Sequence, residues 1–148
     1  MRGWLLDTNV ISELRKPSCS RAVQAWSDNQ PSTSLFLSTV TLAEIRFGIE
    51  RQEDGDFRKT LTGWLDSALR PWFSGRILEI DEDVILEWRR MVARGKEQGI
   101  TFSQPDLFIA AIANLRDMTV VTRNVADFER AGVPVLNPWE FKEKGRTS

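Results

Sequence analysis

Acidic residues in this chain stand where apolar runs change into helix-like segments. Asp7 directly follows the apolar run of residues 4–6, and a helix-like stretch begins a few residues later. Asp106 opens another helix-like stretch far along the chain. The carboxyl ends of strands form the edge at which open α/β sheets bind ligands. Carboxylates gathered at such an edge indicate chemistry performed with a divalent metal ion.

The absence of other reactive side chains narrows that chemistry. The sequence has no histidine, no tyrosine and a single cysteine, Cys19. A Ser-His-Asp triad, a histidine-ligated or cysteine-rich zinc site and an intrachain disulfide are therefore excluded. Oxygen ligands favour Mg²⁺ or Mn²⁺, and such ions promote phosphodiester hydrolysis by activating water and neutralising phosphate oxygens.

Each candidate acid also allows a purely structural interpretation. Asp7 is a good helix N-cap or turn residue. Glu44 completes a capping-box pattern that starts at Thr41, which predicts that Glu44 lies in the first turn of a helix following a strand. Asp106 suits the first turn of a helix electrostatically, and Asp127 is a candidate N-cap for the short helix after it. Taken singly, none of these acids is specific for a function.

The acids are more informative as a set. Each follows a strand-like run or begins the next helix, so right-handed crossovers would bring them toward one sheet edge. Clustered carboxylates repel one another unless a cation neutralises them. The helix that Asp106 opens is apolar on nearly every side, so it is expected to be buried. We therefore predict a catalytic site of Asp7, Glu44, Asp106 and Asp127 in which a divalent metal ion is bound, with Asn124 as either a turn residue or a functional one.

The composition is that of an ordinary globular protein. Its 148 residues predict one domain, 1–148, with a charged tail after about residue 140 that frays. The net charge of −1 gives no overall basic signal, so any nucleic-acid contact needs a local patch or a bound cation. No apolar run approaches the roughly 20 residues that span a bilayer, and Asp7 interrupts the N-terminal run, which excludes a signal peptide. A cytoplasmic protein without membrane contact is expected.

Strand and helix patterns alternate along the chain. Strands are predicted over residues 3–6, 35–40, 76–80, 119–122 and 133–136. Helices are predicted over residues 10–15, from Ser18 or Ser20 to Trp26, and over 41–50, 57–72, 83–97, 105–115 and 127–131. This alternation predicts an α/β fold with a parallel sheet and helices on both of its faces.

Several segments, taken in order, resemble the PIN-domain ribonucleases and, among them, the VapC/FitB-like toxins of type II toxin–antitoxin pairs. Residues 5–13 resemble the opening motif with Asp7, residues 37–45 the segment with the second acid, and residues 105–111 the segment with the third. Residues 121–128 and 135–139 resemble the closing block. The likeness covers almost the whole chain.

The resemblance implies a PIN-like three-layer α/β/α fold with a central, mostly parallel sheet. It also implies Mg²⁺- or Mn²⁺-dependent endonucleolytic cleavage of RNA by a homodimer whose site is covered by a cognate antitoxin. Asp7 and Asp106 would hold the metal, and Glu44 would orient or deprotonate the attacking water, directly or through the metal. The family's fourth acid often stands where this chain has Asn124, and Asp127 is the candidate substitute.

Other polar residues near the acids are expected to support the site. Thr8 and Asn9 follow Asp7, and Thr122 precedes Arg123 at the end of a strand. Arg123 is a candidate for substrate contact, with a surface salt bridge as the alternative. The remaining basic candidates are expected to lie on solvated helix faces, and they are Arg15, Lys16, Arg46, Arg51, Arg89, Arg90, Arg94 and Lys96.

Other functions compete with the nuclease interpretation. A phospho-acceptor signalling domain also uses an Asp at a strand end with Mg²⁺, but this chain lacks an acidic pair before Asp7 and has Arg123 rather than a late-loop lysine. A phosphatase with an Asp-x-Asp motif is disfavoured because Asn9 replaces the second acid. A binding subunit that has lost catalysis and acts through its antitoxin is a third possibility, which the neutral Asn124 favours.

Overall fold

The strands form a parallel sheet, as the alternating pattern predicts. The structure is a computed structural model that describes residues 3–143. Within that range the strands are β1 Trp4–Leu6, β2 Leu35–Ser38, β3 Ile77–Leu78, β4 Thr119–Val121 and β5 Val135–Leu136. They pair in the order β3-β2-β1-β4-β5, and every neighbouring pair is parallel.

Helices occupy most of the chain between the strands. They are α1 Thr8–Arg15, α2 Arg21–Asp28, α3 Thr39–Glu50, α4 Gly55–Trp64, α5 Arg70–Trp72, α6 Glu82–Glu97, α7 Gln104–Arg116 and α8 Val125–Arg130. A π-helical stretch, Leu65–Leu69, joins α4 to α5, so the single helix predicted over residues 57–72 contains a change of helical pitch. No helix within residues 3–143 is long and apolar enough to cross a membrane.

The two faces of the sheet are covered by separate hydrophobic clusters. Successive side chains on a strand point to opposite faces, and accordingly Leu6 packs with α1, α2, α3 and α4, whereas Leu5 packs with α6, α7 and α8. Val121 and Val120 divide between the same two clusters. Apolar residues on both faces of a strand are typical of parallel sheets buried between helices. The expected three-layer α/β/α arrangement is therefore confirmed.

The strand order creates a crevice at the centre of the sheet. From β1 the chain first builds one half of the sheet, β2 and β3, and then crosses to the other side to form β4 and β5. Ligands of such sheets bind outside the carboxyl ends of the strands at the point where this order reverses. Asp7 follows β1 and Thr122 follows β4 at this point, and the Asp7 backbone N–H donates to the Val121 carbonyl oxygen at 2.9 Å.

The start of α3 differs from the prediction. Ser38 is the N-cap, and its hydroxyl accepts a hydrogen bond from the Thr41 backbone N–H at 3.2 Å. Thr39 and Val40, predicted as strand, are therefore helical, although both are β-branched. The capping box starting at Thr41 is wrong, and Glu44 lies in the second turn of α3 rather than the first.

Two smaller predictions also need correction. Helix α8 begins at Val125 with Asn124 as its N-cap, so Asp127 lies in the first turn and is not the N-cap. The predicted strands over 76–80 and 133–136 shorten to two residues each, because only those residues pair with a neighbouring strand. The predicted fraying of the tail concerns mainly residues 144–148, which lie outside the described range.

Replacing Ser38 with alanine tests the cap of α3. Ser38→Ala removes the side-chain acceptor for the Thr41 N–H, and such losses cost about 1 kcal/mol. We expect Tm to fall by about 2–4 °C, the shift that 1 kcal/mol produces in a chain of this size. Thermal unfolding followed by circular dichroism measures the change. The exposed Ser74→Ala serves as the control, and an equal loss there would contradict the capping role.

Candidate active site

Asp7 is a buried carboxylate held by neutral donors. Its side chain lies between β1 and α1, and Asp7 is 4% exposed. The Thr8 backbone N–H donates to Oδ1 at 2.8 Å, and the Thr122 hydroxyl donates to Oδ2 at 2.8 Å. The Asn9 side-chain amide also approaches Oδ2, at 3.3 Å. Asp7 is thus both the N-cap of α1 and the deepest acid of the site, so its structural and functional interpretations are compatible.

Thr122 and Asn9 link the ends of β1 and β4. The Asn9 amide donates to the Thr122 hydroxyl oxygen at 3.1 Å, and the Asn9 carbonyl oxygen accepts from the Arg123 backbone N–H at 3.2 Å. The Asn124 backbone N–H donates to the same Thr122 oxygen at 3.0 Å. Fully buried, Thr122 therefore fixes the Asp7 carboxylate and the loop after β4 together. Of the predicted supporting residues, Asn9, Thr122 and Asn124 are thus linked to one another by hydrogen bonds.

Glu44 reaches the site from α3. Its Oε1 accepts a hydrogen bond from the Thr8 hydroxyl at 2.9 Å, and the Thr41 hydroxyl lies 3.4 Å from that of Thr8. Thr41 is one helical turn before Glu44, so both side chains project from the same face of α3. Thr8 thus joins the two acids, since its N–H contacts Asp7 and its hydroxyl contacts Glu44.

Asp106 and Asp127 are bridged by Asn124. The Asn124 amide nitrogen donates to Asp106 Oδ2 at 3.1 Å and to Asp127 Oδ2 at 2.8 Å. Arg130, one turn along α8, forms an ion pair with Asp127. Asp106 lies in the first turn of α7, as predicted, where the helix dipole favours a carboxylate. The four predicted acids therefore lie in one connected region, with Asp127 at its exposed side.

Electrostatic repulsion in this region falls most heavily on Asp106. Partial burial raises the pKa of Asp106 to about 6, and neighbouring negative charges contribute to the rise. Those charges belong, in decreasing order of effect, to Asp7, Glu44 and Asp127. The hydrogen bond from Asn124 opposes the rise in pKa but does not cancel it.

The other acids divide into two groups. Burial raises the pKa of Asp7 and the pKa of Glu44 above their ordinary values, despite the hydrogen bonds that each accepts. The pKa of Asp127 is lowered, first by the hydrogen bond from Asn124 and then by that from Arg130. Asp7, Glu44 and Asp106 are therefore the acids that a bound cation would relieve, whereas Asp127 already has a cationic partner.

The donor set suits a hard divalent cation. The side-chain atoms that face the site are oxygens, apart from the amide nitrogens of Asn9 and Asn124. Across residues 3–143, no three acidic or thiol side chains stand close enough to ligate one ion together in this arrangement. Mg²⁺ commonly uses one or two protein carboxylates and completes its shell with water and substrate phosphate. Asp7 and Asp106 fit that pattern, and the amide of Asn124 presents an oxygen in place of its nitrogen if it rotates.

Within residues 3–143, Arg123 has an aromatic partner and no salt bridge. Its guanidinium carbon lies 4.8 Å from the centre of the Trp139 ring, a cation–π arrangement. Several other basic candidates are also engaged, since Lys16 pairs with Glu13, and both Arg90 and Arg94 pair with Glu87.

The sequence interpretation missed Thr41 and Arg130 as members of the site. Thr41 was taken only as a helix cap, but its hydroxyl lies in the hydrogen-bonded group around Thr8 and Glu44. The sequence signal for this role is the position of Thr41 three residues before Glu44, which places both side chains on one face of the helix. Arg130 stands three residues after Asp127, the same helical spacing, and that spacing predicts the ion pair observed.

The raised pKa of Asp106 predicts how the stability of the metal-free protein changes with pH. The folded protein binds this proton more tightly than the unfolded chain, whose group has the ordinary value of 3.8. The contribution of Asp106 to stability is therefore greatest below about pH 4 and falls as the pH rises through about 6. We expect Asp106→Asn to raise Tm in EDTA at pH 7, by about 2–4 °C if the relief approaches 1 kcal/mol.

The same substitution should have no such effect at pH 4, where the wild-type carboxyl is already protonated. Thermal melts at both pH values measure the difference. Asp66→Asn, at a side chain that is 61% exposed, is the matched control. A Tm gain of equal size at the two pH values would contradict the assigned repulsion.

Comparisons with known proteins identify a family and several relatives. The family model described as PIN domain matches residues 4–134. A VapC ribonuclease, Y4jK of Sinorhizobium fredii, is 40% identical over 136 residues, which cover 92% of this chain and 97% of that protein.

Solved structures share the same fold. FitAcB from Neisseria gonorrhoeae superposes with a TM-score of 0.88 at 37% identity, covering 93% of this chain and 99% of that one. A toxin–antitoxin complex from Klebsiella pneumoniae has a TM-score of 0.65 at 25% identity and covers 92% of this chain and 98% of its own. With its sheet, its acids and these relatives in agreement, the chain belongs to the PIN-domain family.

Proposed function

We propose that this protein is a Mg²⁺- or Mn²⁺-dependent endoribonuclease that acts as the toxin of a toxin–antitoxin pair. The observation that carries the proposal is that Asp7, Glu44 and Asp106 lie near enough to one another at the carboxyl edge of the sheet for their charges to interact. Partial burial, and after it the charges of Asp7 and Glu44, raise the pKa of Asp106, and no hydrogen bond from a cationic side chain lowers that pKa. Similarity to a VapC ribonuclease over 92% of the chain supports RNA as the substrate.

The proposed chemistry is hydrolysis of an RNA phosphodiester. Asp7 and Asp106 would hold the ion, which supplies charge neutralisation at the phosphate and lowers the pKa of water. Glu44 would orient the attacking water or accept its proton, because its Oε1 is fixed by Thr8 while its Oε2 accepts no hydrogen bond from residues 3–143. The raised pKa of Glu44 brings it closer to the range in which a carboxylate works as a base.

Polar neighbours keep these acids in place. Thr122 and the Thr8 N–H hold the two Asp7 oxygens, so this carboxylate cannot rotate away from the crevice. Asn124 holds Asp106 from the opposite side. We infer that Asn124 and Asp127 together take the role of the family's fourth acid, with Asn124 in contact with Asp106 and Asp127 supplying the charge. Arg123 remains the proposed substrate contact, presented at the site rim by its stacking on Trp139.

The proposed partners follow from the relatives. A solved relative is a toxin–antitoxin complex, which supports a cognate antitoxin for this chain. We also propose that the protein is a homodimer and that residues 1–148 form one domain. It would act on RNA in the cytoplasm.

A catalytically weak binding subunit is the second candidate. Asn124 favours it, because its amide nitrogen lies between Asp106 and Asp127 where an additional carboxylate would strengthen cation binding. Metal binding without RNA cleavage is the result that this candidate predicts.

Neutralising Asp7 tests the nuclease directly. The protein, freed of any partner, is incubated with a mixed-sequence RNA in Mg²⁺, Mn²⁺ or EDTA, and cleavage is followed by gel electrophoresis. We expect Asp7→Asn to lower the rate at least about a hundredfold, equivalent to about 3 kcal/mol of transition-state stabilisation. The fold is preserved, because the substitution changes charge but little volume. Asp66→Asn should cleave at the wild-type rate, and activity of Asp7→Asn with an unchanged circular dichroism spectrum would refute the assignment.

Restoring an acid at residue 124 tests the site composition. Asn124→Asp removes the donor between Asp106 and Asp127 and adds a negative charge, so Tm in EDTA should fall below that of the wild type. Millimolar Mg²⁺ should raise Tm in both proteins, and more in the variant, because a ligand bound by the folded state stabilises it. Ser74→Asp adds the same charge just before β3, at the opposite edge of the sheet, and should leave the Mg²⁺ response unchanged. A smaller response in Asn124→Asp would contradict the proposed role of Asn124.

A further inference from the structure

A cavity of about 420 Å³ lies beside the acids, between α6, α7 and the loop that joins them. Its walls include Trp88, Lys96, Thr101, Phe102, Gln104 and Leu107. A second cavity, of about 220 Å³, is lined by Asp106 and Asp127. The two cavities share Thr101, Phe102 and Leu107, so the larger one adjoins the proposed catalytic centre.

We propose that the larger cavity binds the base of one unpaired nucleotide of the RNA substrate, at a fixed position from the cleaved phosphodiester. The inference rests on the proposed function and adds a specificity site to it. The volume lies within the range of about 300–1,000 Å³ that is typical of pockets for small organic groups. Sequence-specific RNA recognition generally targets bases that are unstacked from their neighbours, and such a base could enter a pocket beside the acids.

The cavity offers aromatic surfaces for stacking. Trp88 and Phe102 line it, and bases stack on such side chains in many RNA-binding proteins. Trp88 is itself stacked on Phe108, with ring centres 5.0 Å apart and planes inclined by 17°, which fixes its orientation. The Trp88 Nε1 is buried and has no hydrogen-bond partner within the described chain, so the cavity wall offers the ring of Trp88 and not this donor.

Polar groups of the cavity are available for the edge of a base and for a phosphate. The side chains of Gln104 and Thr101 make no hydrogen bond to another residue between 3 and 143. The Gln104 amide carries a donor and an acceptor, the combination that pairs with base edges. Lys96 has no ion-pair partner among the described residues and lies on the cavity wall, where it complements a flanking phosphate.

The position of Phe102 depends on a glycine in α6. A Cβ placed on Gly95 would lie 2.5 Å from the Phe102 ring, closer than carbon atoms tolerate. The Gly95 carbonyl also accepts from the Ile100 backbone N–H at 2.7 Å, which folds the loop back against α6. Gly95→Ala is therefore a change outside the cavity that would displace the Phe102 ring. It alters no residue that would touch the base.

An abasic scan tests the proposal. A single-stranded RNA that the wild-type protein cleaves at one site is prepared with each base near that site removed in turn. We expect one position at which removal lowers kcat/KM about tenfold for the wild type, within the range for loss of one stacked base. For Gly95→Ala the same removal should change kcat/KM less than about twofold, because the stacking surface of Phe102 is already displaced. For Gln104→Ala the effect should be smaller than in the wild type, because the hydrogen bond to the base is already lost. Lys59→Ala, an exposed change on α4, should keep the full wild-type sensitivity.

Equilibrium binding of the same RNAs in EDTA gives a second measurement that needs no cleavage. Removal of the base at the sensitive position should also weaken binding for the wild type, and should weaken it less for Gln104→Ala. Metal- and Asp7-dependent cleavage without any base-sensitive position, or with equal sensitivity in all variants, would overturn this inference alone. Absence of metal-dependent cleavage of any RNA would overturn the proposed function and this inference with it. Gln104 is exposed at the start of α7, so its replacement tests the cavity even if Gly95→Ala fails to fold.

Discussion

Repulsion among carboxylates at one partly buried sheet edge is the constraint on which this structure depends. The chain holds Asp7 and Glu44 with neutral donors, chiefly Thr8 and Thr122, rather than with cationic side chains. Neutral donors fix the positions of the oxygens without cancelling their charge. Partial burial and, after it, this unrelieved repulsion raise the pKa of Asp106 to about 6. The positions of the oxygens are thus set in advance, and in the proposed enzyme a cation would neutralise their charge.

The parallel sheet makes that gathering possible. The backbone N–H of Asp7 donates to Val121 in β4, and its side chain accepts from Thr122, directly after β4. Two hydrogen bonds therefore fix the end of β1 against β4. The adjacent residues Leu5 and Leu6 anchor β1 in opposite hydrophobic layers. A shift of β1 by one residue would exchange those faces and bury the wrong side chains. Core packing and placement of the first acid are therefore set by the same three-residue strand.

Much of this arrangement could be predicted from the sequence, for physical reasons that also explain the errors. An apolar run that ends at Asp7 identified β1, and one that begins after Asp106 identified the buried helix, because burial on all sides leaves a strong pattern. The predicted start of α3 was wrong because a single hydrogen bond to the Ser38 hydroxyl outweighed the strand preference of Thr39 and Val40. The bridge formed by Asn124 joins two acids that are 21 residues apart, and no local pattern encodes it.

The first turn of α7 connects catalysis to recognition in the proposed enzyme. Gln104, on the wall of the larger cavity, and Asp106, a proposed metal ligand, are two residues apart on the same helical turn. A helix turn is rigid, so a base held at Gln104 would fix the distance between its nucleotide and the metal site. Correct positioning of reacting groups contributes a large part of enzymatic rate enhancement. An RNA with the wrong base would therefore be rejected mainly because its phosphodiester is misplaced relative to the metal site. The acids themselves would be unchanged.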